Sequence, residues 1–87
     1  MTSDRLRWVA ELLEMESGFI EECLRYGALS PDELPEQRVA VPAATAARLR
    51  RLRRLCLSLD VDVYAGAIIV DLLEQMDELQ RELEQRR

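Results

Sequence analysis

Four stretches of apolar residues at helical spacing, divided by one proline-bearing break, confine this chain to a mainly α-helical fold. A helix turns once every 3.6 residues, so a core-facing stripe appears as apolar residues three and four apart. Residues 1–15 hold Leu6, Val9, Leu12 and Leu13 in that register, with Thr2, Ser3 or Asp4 placed to cap the start. Trp8 falls beside the stripe and is expected at the edge of the core. Ser17 reads as the N-cap of a second short helix, Gly18 to Tyr26, whose inner face is Ile20, Cys23 and Leu24. Gly27 suits the left-handed residue that ends it, where a Cβ would clash. Two short helices meeting within a few residues make a helix-turn-helix layout.

Ser30, Pro31, Asp32 and Pro35 then interrupt helix, because proline has no amide donor and restricts the residue before it. Arg38-Val39-Ala40-Val41 reads as one short strand, or the arm of a small wing, and Pro42 stops it and opens the next helix. That helix runs from about Ala43 to Leu59, with Ala46, Leu49, Leu52, Leu55, Cys56 and Leu59 on one face. Asp60 or Asp62 caps the last helix. Along it, Ile69, Leu72, Met76, Leu79 and Leu83 alternate steps of three and four, like the a and d positions of a heptad. From Gln75 onward no later element remains to cover that seam, so it is expected to leave the domain, with self-association preferred. The expected organisation is a winged helix-turn-helix core over residues 1–60. Residues 61–87 then form an amphipathic helix that packs on the core, on a second chain, or on both.

Length and composition narrow the function. At 87 residues the chain makes one small domain and buries only about 60% of its unfolded surface, so it needs a tight core or a partner. It has no His, which removes imidazole acid/base chemistry and His-ligated metals. Cys23 and Cys56 form neither a metal-binding cluster nor a disulfide framework, and both fall on core faces as small buried hydrophobes. No apolar run is long enough to cross a membrane, and no signal-peptide layout opens the chain. A cytoplasmic location with reduced thiols is expected. Three isolated glycines make no phosphate-cradling loop, and no nucleophile stands beside an activating base. No enzymatic activity and no cofactor are expected.

The charge is unevenly placed. Residues 1–37 hold three Arg against nine acids, residues 38–56 hold six Arg and no acid, and residues 57–87 hold three Arg against eight acids. The arginines of the third helix read as a solvated cationic face or as partners for the acidic first third.

The order of elements resembles the MerR-type winged helix-turn-helix group. LSLDVDVYAGAIIVDLLEQMDELQRELEQRR, with Leu59, Asp60, Gly66, the apolar Ala67 to Val70, Leu73, Met76 and Leu79, resembles the end of the small MerR-like proteins called CbpM-type chaperone modulators. ARLRRLRRLCLSLD ahead of it and FIEECLRYGAL near the start are similar to the same group, so the likeness spans nearly the whole chain. The resemblance implies a protein that binds the J-domain of the DnaJ-like co-chaperone CbpA and inhibits its work with the Hsp70 chaperone DnaK. It also keeps open a MerR-type DNA-binding transcriptional regulator, which would bind promoter DNA as a dimer.

J-domains of this kind engage Hsp70 through a basic second helix, so the resemblance points to an acidic face here. Glu14, Glu16, Glu21 and Glu22 are the expected partner-binding residues, with Asp71, Glu74, Asp77 and Glu78 as a second acidic surface. DNA reading would require a cationic second helix, and this one offers Glu21 and Glu22 against Arg25 alone. DNA is therefore disfavoured as a partner, no membrane is expected, and a homodimer through Ile69, Leu72, Met76, Leu79 and Leu83 is.

Overall fold

The computed structural model describes residues 3–34 and 40–86. Four α-helices follow one another: α1 (Ser3–Leu13), α2 (Ser17–Arg25), α3 (Ala43–Leu59) and α4 (Val63–Gln85), with a short 3-10 helix (Pro31–Glu33) between α2 and α3. There is no strand among the described residues. Ala40 and Val41 are irregular backbone, which corrects the expected strand or wing arm for those two residues; Arg38 and Val39 lie outside the described residues. Without a neighbouring strand such a segment has no ladder to join.

The turns are built by chain conformation more than by side-chain caps. α1 closes with the amides of Glu14 and Met15 donating to the carbonyls of Glu11 and Ala10, and Glu14 takes the left-handed conformation at φ 56°. Ser17 is the first residue of α2 rather than its cap; Glu16 stands at the N-cap position and makes no side-chain cap bond. Gly27 takes φ 76°, as expected of the residue that turns the chain after α2. Ser30 and Glu33 then form a reciprocal capping box around the 3-10 helix. Asp60 is left-handed at the end of α3, and Asp62, not Asp60, caps α4 by accepting from the Ala65 amide at 2.8 Å.

α3 packs chiefly on α4, α1 on α2, and α2 on α4. Val9, Ile20, Cys23, Leu29 and Leu49 are fully buried where these helices meet. Each such aliphatic side chain contributes roughly 1.5–3 kcal/mol by leaving water. Trp8 is buried in this core rather than at its edge. Leu12 and Leu59 are exposed, contrary to the faces drawn for α1 and α3: Leu12 stands at the margin of its face, and Leu59 is the last residue of α3, where the chain turns toward α4. Gly66 sets the approach of α4 to α3, because a Cβ there would lie 2.5 Å from Cys56 Sγ and 3.0 Å from Leu52 Cδ1.

The radius of gyration, 14.3 Å, exceeds the roughly 12 Å of a compact domain this long. The excess is α4. Its last buried residue is Val70, and the fifteen residues from Asp71 to Gln85 continue for about 22 Å at 1.5 Å per residue.

Candidate partner-binding surface

α1 and α2, with the turn at residues 14–16, form the helix-turn-helix, and α2 is the element that such a unit presents to a groove or a partner. It buries Ile20 and Cys23 and leaves Ser17, Gly18, Glu21, Glu22 and Arg25 exposed. The one cation on that outer face, Arg25, stands 4.0 Å from Glu21 one turn earlier. Its charge is thus balanced by Glu21, and Glu22 is left as net negative charge. Setting α2 into a DNA groove would bring carboxylates against phosphates and release no counterions.

The four expected carboxylates do gather around the turn and α2, but their surroundings differ. Glu16 accepts two hydrogen bonds from Arg53, Nη2 to Oε1 at 2.7 Å and Nε to Oε2 at 3.1 Å. That fork holds its carboxyl down to about 2. Glu14 is exposed in a hollow beside Arg50, Arg53 and Arg54. Glu21 and Glu22 carry the outward negative charge of α2. The fork between Glu16 and Arg53 spans 37 positions of sequence, and no local spacing foretold it.

Two of the four other arginines of α3 are also engaged. Arg48 donates to Glu33 Oε2 at 2.7 Å and to the Ala28 carbonyl at 3.1 Å, and Arg51 donates to Asp77 at 3.3 Å. With Arg53, they tie α3 to the 3-10 turn, to α4 and to the turn between α1 and α2. Exposed pairs of this kind add little stability, so their effect is to fix orientation and neutralise charge. Two of these three acids, Glu16 and Glu33, lie in the acidic first third. Arg50 and Arg54 are exposed and enter none of these pairs.

The seam of α4 divides at the core boundary. Ile69 is half-buried, whereas Leu72, Met76, Leu79 and Leu83 are exposed by 54–63%. Four large apolar side chains in register on an uncovered helix make a long stripe rather than scattered surface residues. Tyr64 and Ile68 extend the exposed apolar surface toward the start of the helix.

Burial pushes the Cys23 thiol up to about 12, and burial likewise raises that of Cys56. Neither thiol is therefore an activated nucleophile at neutral pH. Among the described residues no three of His, Cys, Asp and Glu are grouped to hold a metal, and no helix is long and apolar enough to cross a membrane.

A family model described as MerR HTH family regulatory protein matches residues 5–87. No curated protein and no solved structure matches the chain. With nearly its whole length matched, the chain belongs to the MerR HTH regulatory family.

Proposed function

We propose that this member of the MerR HTH family regulates by binding protein. On this reading it is a CbpM-type modulator that engages the J-domain of a DnaJ-like co-chaperone of CbpA type and holds it off its Hsp70 partner, DnaK. The observation that carries the reading is the outward face of α2, where Glu21 and Glu22 outweigh the single, paired Arg25. An acidic helix complements the basic helix of a J-domain, raising the on-rate and narrowing partner choice, while apolar contacts supply much of the affinity. The working unit is a dimer joined through Leu72, Met76, Leu79 and Leu83, with Ile69 at the core end of the seam.

The second reading, a MerR-type DNA-binding transcriptional regulator, has the family match in its favour, since helix-turn-helix regulators are commonly DNA readers. On α3 it has two exposed cations, Arg50 and Arg54, that pair with no acid among the described residues. That is few beside the roughly six to ten phosphate contacts behind strong electrostatic binding, and neither lies on α2.

Calorimetric titration against a purified J-domain separates the two. The parent chain is expected to bind, more weakly as salt rises. Glu21→Arg with Glu22→Arg is expected to weaken binding and flatten the salt dependence, whereas Glu78→Arg with Glu82→Arg is not. A sequence-specific shift of duplex DNA that persists at about 150 mM salt, with no heat from the J-domain, would overturn the reading in favour of the regulator.

A further inference from the structure

The chain has two tyrosines, and they meet. Tyr26, just after α2, and Tyr64, in the first turn of α4, pack edge to face with centroids 5.7 Å apart and planes at 69°. Both remain about half exposed, and both line a cleft of about 280 Å³. That volume lies at the bottom of the range for small-molecule sites, enough for one long side chain and little more.

The cleft is net negative, with one cation, Arg48, against Glu33, Asp71 and Glu74. Arg48 lines it, but its guanidinium is already held by Glu33 and by the Ala28 carbonyl. Asp71 and Glu74 also line it from α4, and neither is engaged by a cation among the described residues. Ala67 and Ile68, between Tyr64 and these carboxylates, add an apolar strip. Aromatic rings, apolar side chains and carboxylates in one lining match one chemical class of guest, a cation on an apolar stem.

We propose that this cleft seats an arginine side chain from a basic helix of a protein partner. A planar guanidinium stacks on a tyrosine face and forks onto a carboxylate, which the compact and strongly hydrated lysine ammonium does less well. The proposal rests on the reading above for the identity of the partner, whereas the site itself is tested without one.

The test uses the full chain with ¹³C-labelled tyrosine rings, so that every tyrosine signal comes from the cleft. The probe is N-acetylarginine amide, with N-acetylcitrulline amide as its uncharged counterpart of like shape. Both tyrosine signals are expected to shift saturably with the arginine probe and far less with citrulline. Asp71→Asn with Glu74→Gln is expected to weaken the arginine probe by about fivefold, the equivalent of losing roughly 1 kcal/mol, while Glu21→Gln with Glu22→Gln leaves it unchanged. An equal response to citrulline, the lack of saturation, or indifference to the Asp71 and Glu74 changes would overturn the proposal. A J-domain that binds the parent chain and the Asp71/Glu74 variant equally well also overturns it, and leaves the co-chaperone reading standing. Failure of the J-domain to bind, with the arginine probe still saturating, removes the co-chaperone reading and supports the cleft.

Discussion

Glu14 is a residue whose conformation and charge serve different ends. Its φ of 56° places a long L side chain in the left-handed region, at the closing turn of α1 where glycine is usual. Relief of that strain is worth about 1–2 kcal/mol, against about 0.5–1 kcal/mol for the extra freedom glycine has when unfolded. Glu14→Gly is therefore expected to raise stability by about 0.5–1 kcal/mol, read from the urea midpoint. If Glu14 also meets a basic partner, the same variant binds the J-domain more weakly while being more stable, which separates a contact from a fold effect. Glu16 behaves differently. Its carboxyl is held at about 2 in the folded chain by the Arg53 fork, below its ordinary value of 4.5. A depressed carboxyl contributes stability at pH values above 4.5 and loses it as pH falls toward 2. Arg53→Gln is accordingly expected to bring the Glu16 titration, followed by carboxyl NMR, back toward 4.5. The stability gap between parent and variant should be open at neutral pH and closed near pH 2. Neither the left-handed Glu14 nor the Glu16 fork was legible in the sequence, because one depends on the exit path of α1 and the other on a contact across 37 positions.

At the scale of elements, periodicity carried most of the fold. The apolar spacing of α3 returned its limits, Ala43 to Leu59, and the glycine after α2 stands where its freedom is used. What periodicity could not supply was which part of a stripe finds a neighbour. Leu59 continues the stripe of α3 yet is exposed, and Trp8 lies beside the stripe of α1 yet is buried. The same principle governs α4, whose heptad-like spacing runs unbroken while burial ends at Val70. Met76 and Leu79 are 63% and 59% exposed, so an Asp at either position costs the isolated chain little. In a dimer seam it would bury a charge. Sedimentation velocity at tens of micromolar should therefore show a dimer for the parent chain, and a folded monomer for Met76→Asp or Leu79→Asp. A monomeric parent chain would remove the seam as an interface.

For the whole molecule, the decisive feature is where charge has been neutralised and where it has been left. Internal pairs engage Arg48, Arg51 and Arg53 of α3, whereas the outer face of α2 keeps an unbalanced carboxylate. The helix-turn-helix of a MerR family member thus carries, on its presenting helix, the sign of charge suited to a basic protein surface. The blockwise charge of the sequence announced this only in part, since it could not tell which arginines would be paired and which left free. The most direct measurement is the ATPase rate of Hsp70 stimulated by a J-domain co-chaperone, followed as this chain is added. The expected result is a fall to the unstimulated rate as the chain saturates the co-chaperone, with the Glu21→Arg, Glu22→Arg variant leaving stimulation largely intact. A stimulated rate that stays constant at every concentration of the parent chain would contradict the account.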